Sequence, residues 1–146
     1  MSTRARTRRI VLAYSGGLNG SVAIPWLAES ADGAPVDVVT ITLDLGQGGE
    51  LEEVRDRALA TGAVRAHVLD AREELARDHI LPALKADALA DDRSPLVSAI
   101  AAPLIAKKLV EIAAIEQAST VAHGACDPAA SARLESAIHR RPARRP

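Results

Sequence analysis

The chain has 146 residues, of which 48% are hydrophobic and 25% charged, with a net charge of −1. That is enough sequence for one ordinary globular domain and hardly for two. One cysteine, Cys126, excludes an internal disulfide framework and a multi-cysteine metal site. Apolar runs are short and broken by charges, so none approaches the roughly 20 residues that span a bilayer. The aromatics are Tyr14 and Trp26 alone, which argues against base-stacking modes of nucleic-acid binding. The Arg-rich start has no apolar stretch behind it and is not expected to be a secretory signal. A cytoplasmic protein with no membrane or nucleic-acid partner is expected. Arg4, Arg6, Arg8 and Arg9 crowd one end, and Arg140, Arg141, Arg144 and Arg145 the other. Residues 1–8 and 139–146 therefore read as solvated basic tails around a single domain over 9–138.

In chain order the pattern alternates between strands and helices. Arg9–Tyr14 (R-I-V-L-A-Y) is a short apolar run ending at a Gly-rich loop, and predicts a buried strand. Ser21–Glu29 predicts a helix, with Pro25 tolerated near its start. Asp37–Leu43 is nearly all β-branched and predicts a second buried strand. Leu51–Thr61 carries Leu51, Val54, Ala58 and Leu59 at helical spacing and stops at Gly62. Ala66–Leu69 predicts a third strand, and Arg72–Ala88 a helix kinked at Pro82. In Val97–Gln117 one stripe holds Val97, Ile100, Ala101, Leu104, Ile105, Leu109 and Ile112, while Lys107, Lys108 and Glu111 face away. Thr120–His123 is a fourth strand, and a short helix is expected over 129–138.

Strands separated by helices of this size imply βαβ units, hence an α/β fold with a doubly wound parallel sheet. Ligands of such sheets bind outside the carboxyl ends of the strands, where strand order reverses. That places the site among residues 15–20, 44–49 and 124–128 before any motif is considered.

The loop after the first strand, Ser15-Gly16-Gly17-Leu18-Asn19-Gly20-Ser21, joins a buried strand to a helix N-terminus. Three glycines admit a sharp turn and close approach of backbone N–H groups. The helix start adds unpaired donors and a partial positive charge, so the loop suits a phosphate or pyrophosphate. Its alternative is a tight turn with Ser21 as N-cap and no ligand. It matches neither G-x-G-x-x-G nor the P-loop, and it lacks the P-loop lysine.

V-L-A-Y-S-G-G-L-N-G-S resembles the pyrophosphate loop of the N-type ATP pyrophosphatases, S-G-G-x-D-(S/T)-S, and within them the A-Y-S-G-G-L-D-T-S of the argininosuccinate synthase family. V-A-I-P-W-L, L-D-L-G-Q-G-G-E-L-E-E-V-R-D-R-A-L-A-T-G-A, A-R-E-E-L-A-R-D-H-I-L-P-A-L-K-A-D-A-L, P-L-V-S-A-I-A-A-P-L-I-A-K-K-L-V-E-I-A and V-A-H-G continue in register over roughly residues 9–124. The resemblance implies a Rossmann-like fold of the adenine nucleotide α-hydrolase type. It implies ATP as nucleotide, with Mg2+ accompanying it, and a carbon–nitrogen ligase chemistry: ATP adenylates the ureido oxygen of citrulline, pyrophosphate leaves, and aspartate displaces AMP. It places Ala13, Tyr14, Ser15, Gly16, Gly17, Leu18, Asn19, Gly20 and Ser21 on the ATP loop. Leu43 falls at the adenosine, with Gly124 beside it.

The departures from the family pattern shape the functional expectation. Asn19 and Gly20 stand where the family has an aspartate and a threonine, and a neutral amide is a poor ligand for a hard cation. Ala90 and Ser94 replace tyrosines, Ser94 at a citrulline contact, and Ala102 replaces an arginine, removing a bidentate anchor. After His123-Gly124 the family's T-G-K-G-N-D-Q is replaced by Ala125-Cys126-Asp127-Pro128-Ala129-Ala130-Ser131, while Arg133 still matches a downstream arginine. The family's larger second domain is expected to be missing after Pro146. The expectation is a stand-alone adenylating domain acting on a substrate other than citrulline and aspartate, or one that needs a partner chain. The alternative is a catalytically silent nucleotide-binding or interaction module. A homodimer is a further expectation, since apolar surface tends to be re-covered.

The remaining candidates read more plainly. His123 is expected to be a packing histidine and Cys126 an inert thiol. Asp70, Glu73 and Glu74 suit a helix start. Asp91 and Asp92 read as a solvated loop, Lys107 and Lys108 as a solvated helix face, and Gln47-Gly48-Gly49 as a flexible turn at the site mouth.

Overall fold

A computed structural model describes residues 8–29, 34–88 and 97–140. They form β1 (Arg8–Ala13), α1 (Leu18–Ala28), β2 (Val36–Asp44), α2 (Leu51–Ala60), β3 (Arg65–Asp70), α3 (Arg72–Leu75), a π-helical turn (Ala76–Ile80), α4 (Leu81–Lys85), α5 (Val97–Ile115), β4 (Thr120–His123) and α6 (Pro128–His139). Most of the two basic ends, together with Ala90, Asp91, Asp92 and Ser94, lies outside the described residues.

The four strands make one parallel sheet in the order β3-β2-β1-β4. Alternation along the central strands sends side chains to two cores. Val11, Val39 and Ile41 pack with Leu109 and Ile112 of α5 on one face. Leu12 and Val38 pack with Ile24 of α1 and Ala58 of α2 on the other. Because both faces are covered, β2 reads as an almost continuous apolar and β-branched run. Ile24, Leu104 and Leu109 are fully buried, each worth about 1.5–3 kcal/mol of transfer free energy. Strand order reverses at β1, so the chain leaves the carboxyl ends of β1 and β4 toward opposite faces and opens a crevice between them.

Three expectations are corrected. Helix α1 begins at Leu18, with Gly17 as its extended N-cap (φ −75°, ψ 167°), so Ser21 lies inside the helix and does not cap it. The glycines complete the turn earlier than an N-cap serine would require. Pro25 consequently sits in the interior of α1. It leaves the Ser21 carbonyl without the usual helical donor, and the fully buried Ile24 on the same helix offsets that loss. The helical stretch after Arg72 is not one regular helix with a single irregularity at Pro82. A π turn over Ala76–Ile80 precedes that proline and widens the helix where the missing N–H and the ring would otherwise intrude.

Lys107 and Lys108 do not form a solvated face. Both reach Glu74 of α3, with Lys108 Nζ 2.7 Å from Glu74 Oε2. They tie α5 to the helix that follows β3 and hold the Glu74 carboxyl below its usual value.

At the opposite end of the sheet from the crevice, the side chain of Glu116 is 1% exposed. Arg9 Nη1 donates to its carbonyl at 2.9 Å and to Oε2 at 3.2 Å. Arg65 Nη1 donates to Oε1 at 2.7 Å and Oε2 at 2.9 Å, and His67 Nε2 lies 2.7 Å from Oε1. Burial alone would push this carboxyl up. The hydrogen bonds from His67 and Arg65 outweigh it, so the group lies below the ordinary glutamate value.

Candidate functional site

The loop after β1 is held from three sides. Tyr14 N donates to Ile41 O at 2.9 Å, and the buried Thr42 hydroxyl donates to Tyr14 O at 2.9 Å, fixing the end of β1 to β2. Ser21 Oγ donates to Gly17 O at 3.0 Å and lies 2.8 Å from the Tyr14 hydroxyl, which therefore serves as the donor of that pair. From below, Arg57 Nη1 of α2 donates to Gly16 O at 2.9 Å. Gly16 has φ +81°, and a Cβ there would lie 3.0 Å from Val54 Cγ2, so both its backbone conformation and its neighbour call for glycine.

No side chain caps α1 at Gly17. The first helical bond runs from Ser21 N to Gly17 O at 3.1 Å. The N–H groups of Leu18, Asn19 and Gly20 precede it and have no partner within the helix. The contrast is α6, where Asp127 Oδ2 accepts from Ala130 N at 2.8 Å and closes the helix start with its own side chain. The end of β4 passes the open start of α1 at Gly124. A Cβ there would lie 3.6 Å from Gly20 N and stand over that turn.

The three loops anticipated from the topology meet around a cavity of about 610 Å³, within the roughly 300–1,000 Å³ range of small-molecule sites. Ala13, Tyr14, Ser15, Gly20, Leu43 and Gly124 line it, and so do Leu45 and Gln47 after β2, Leu75, Ile105 and Leu134 from the helical face, and His123. Gly16, Gly17, Leu18, Asn19 and Ser21 do not form its wall. Gly16 and Ser21 shape the loop from behind, and Leu18 is 79% exposed on the outer side of α1. Asn19 is exposed, and its Nδ2 donates to Cys126 Sγ, so the thiol is engaged with the loop.

Gln47 is not a loose turn residue. Its Nε2 donates to Leu43 O at 2.9 Å and its Oε1 accepts from Leu45 N at 2.7 Å, pinning the loop after β2. Next to it Arg72 Nε lies 3.3 Å from Asp44 Oδ2, and its Nη2 donates to Asp70 Oδ2 at 2.6 Å. That hydrogen bond is the main reason the Asp70 carboxyl falls to about 2. His123 is a packed residue, 14% exposed, with Nε2 3.6 Å from Glu135 Oε1, and it also forms part of the cavity wall. Ala102 is buried, and with Arg133 it lines a separate groove between α5 and α6. Among the described residues no group of three His, Cys, Asp or Glu side chains converges as a metal site, and no helix is long and apolar enough to cross a membrane.

Sequence reasoning missed Thr42, Val54 and Arg57. Each acts on the loop from another element, and Arg57 in particular looks like any solvated helix-end arginine.

Comparison with known proteins identifies the family and the fold. Residues 9–141 match the family model for the argininosuccinate synthase N-terminal HUP domain. The chain is 50% identical over 116 residues to argininosuccinate synthase of Streptococcus thermophilus, and 53% identical over 116 residues to that of Anoxybacillus flavithermus. Each match covers 80% of this chain and 28% of the relative, so the chain spans little more than a quarter of their length. Among solved structures, NAD+ synthetase from Burkholderia pseudomallei superimposes with a TM-score of 0.51 at 24% identity, over 78% of this chain and 44% of that one. A U34-tRNA thiolase from Methanococcus maripaludis gives a TM-score of 0.55 at 16% identity, over 82% of this chain and 39% of that one. These two likenesses carry the Rossmann-like fold alone. By its sequence over nearly its whole length, the chain belongs to the argininosuccinate synthase family and corresponds to that family's N-terminal HUP domain.

Proposed function

We propose that this domain binds ATP in the crevice between β1 and β4, as an ATP pyrophosphatase-type module of an adenylating carbon–nitrogen ligase. The observation that carries the reading is the uncapped start of α1, which opens beside the cavity and is approached by Gly124. Unpaired N–H groups and the positive end of a helix suit a phosphate chain. In this reading Ser15, Gly16, Gly17, Leu18, Asn19, Gly20 and Ser21 form the phosphate loop, backed by Ala13 and Tyr14. The apolar wall at Leu43, with Gly124 opposite, receives the adenosine. With no side-chain metal cluster among the described residues, Mg2+ would arrive on the phosphates and not in a protein cage. ATP supplies the activating group, and the loop holds and orients its phosphates. The acceptor is a substrate other than citrulline and aspartate, or its pocket is completed by another chain. The protein works in the cytoplasm.

Titration calorimetry with ATP, with and without Mg2+, tests the reading. Micromolar affinity, about −8 kcal/mol, is the expected result, and absence of binding up to millimolar ATP overturns it.

One observation favours a second reading, a nucleotide-binding module without turnover. The side chain at position 19 is an amide engaged with Cys126 Sγ, where a carboxylate stands in the family loop. Pyrophosphate release by Asn19→Asp and by the natural protein separates the two. Turnover by the variant alone favours the silent module. The single substitution is the informative one, because a Cβ at Gly20 would lie 2.7 Å from Tyr14 Cδ2 and displace that ring.

A further inference from the structure

β1 turns away from β2 before β2 ends. As it leaves, Tyr14 N donates to Ile41 O at 2.9 Å. Backbone groups on one side of a strand recur at every second residue. Leu43 O and then Leu45 N therefore come next on the side of β2 that β1 has left. One side chain takes both. Gln47 Nε2 donates to Leu43 O at 2.9 Å, and Gln47 Oε1 accepts from Leu45 N at 2.7 Å.

A primary amide presents an N–H donor beside an acceptor oxygen. Adenine presents the same pair on one edge, its N6 amine beside ring N1. A carbonyl and an N–H placed two residues apart can receive either. Leu43, Leu45, Gly46 and Gln47 all line the cavity, and Gln47 is exposed, so a base that reaches this wall meets the amide, and the amide has solvent to move into. The turn has other supports. Asp44 Oδ1 accepts from Gly46 N at 2.9 Å, and Asp44 Oδ2 lies 3.3 Å from Arg72 Nε. On either side of Gln47, Gly46 and Gly48 have φ +88° and +68°, and a Cβ at either would meet nothing within 4 Å. Backbone conformation alone calls for glycine there, and the space around the loop is open.

We propose that Gln47 is a specificity-determining residue whose amide stands in for the edge of adenine and is displaced by the base. The inference rests on the nucleotide reading above and deepens it. Adenine replaces both hydrogen bonds that the amide gives up. A base without the exocyclic amine leaves Leu43 O unpaired, and an unmade bond at a site closed to water is costly. The amide also lowers the apparent affinity for adenine, by the fraction of molecules in which it holds the edge.

Titration calorimetry on the natural protein and on Gln47→Ala tests this with three probes: ATP, purine riboside triphosphate, which lacks the exocyclic amine, and tripolyphosphate, which lacks the base. Gln47→Ala is expected to bind ATP at least threefold tighter and tripolyphosphate within twofold of the natural protein. The natural protein is expected to bind purine riboside triphosphate at least tenfold more weakly than ATP. A second readout needs no folded variant to interpret it. In the natural protein the side-chain amide resonance of Gln47 should shift on adding ATP and stay in place on adding tripolyphosphate. Unchanged or weaker ATP binding by Gln47→Ala, equal binding of the two triphosphates, or a Gln47 resonance that ATP leaves in place each overturns the proposal while the nucleotide reading stands. Absence of ATP binding by both proteins overturns the two together.

Discussion

At the amino ends of β1 and β3, Arg9, Arg65 and His67 close on the buried carboxylate of Glu116. At the carboxyl ends of β1 and β4, glycines bring backbone together and leave the N–H groups that open α1 without side-chain partners. One end of the sheet is satisfied internally and the other is not. The difference separates stability from recognition within a single layer of strands. A closed network anchors elements far apart in sequence, since Glu116 joins β1, β3 and the residue after α5. The open end keeps donors available for a ligand, and its support comes from behind, through Val54, Arg57 and Thr42. Damage to the first region is expected to lower stability, and damage to the second to lower nucleotide affinity.

The largest expected effect is at the closed end. Glu116→Ala leaves two guanidinium groups facing a vacated, largely buried site, a loss of about 3–5 kcal/mol by the usual cost of breaking such a cluster. Urea denaturation reads it directly. ATP affinity of the folded fraction is expected to stay within about twofold, because the cluster lies away from the cavity. A tenfold loss of affinity would mean the two ends are coupled.

The same carboxylate sets the acid limit. Its folded value is below the ordinary 4.5, so the stability it contributes is complete above pH 4.5 and is lost as pH falls through the folded value. Asp70 adds a small exposed contribution in the same direction, between its ordinary 3.8 and about 2. The urea midpoint should therefore fall below pH 4.5, and Glu116→Gln should flatten that decline. An unchanged acid slope in the variant would count against the assignment.

Gly16→Ala probes the open end. It forces an alanine to φ +81° and sets its Cβ 3.0 Å from Val54 Cγ2, at a cost of roughly 1–3 kcal/mol. Calorimetry is expected to show at least a tenfold loss of ATP affinity together with the lower midpoint. Full affinity in the variant would detach the loop from nucleotide binding. The smallest effect is expected at Thr40, whose fully buried hydroxyl has no hydrogen-bond partner. Thr40→Val should raise stability by about 1 kcal/mol, measured by the same denaturation, and leave both ends of the sheet unaffected.

The strand and helix order was legible because the central strands and α5 bury apolar faces, and β4 over Thr120–His123 is found as the pattern predicts. The position of the cavity followed from the topology, since a parallel sheet with helices between its strands gathers the same three loops at one end. The start of α1 was misread because serine is a common N-cap, whereas here Gly17 holds the extended cap conformation. Lys107 and Lys108 were misread because periodicity reports which face is apolar and not what an outward charge meets. Glu116 left no local signal at all, its partners lying up to 107 residues away.

By itself, the sequence determined the α/β class, the family and the loop most suited to phosphate, because these rest on local periodicity and on a contiguous motif. Tertiary structure decided which charges close on Glu116, which residues support Gly16 from beneath, and why Gly20 must leave room for Tyr14. Those outcomes depend on contacts between residues far apart in the chain, and no local pattern encodes such contacts.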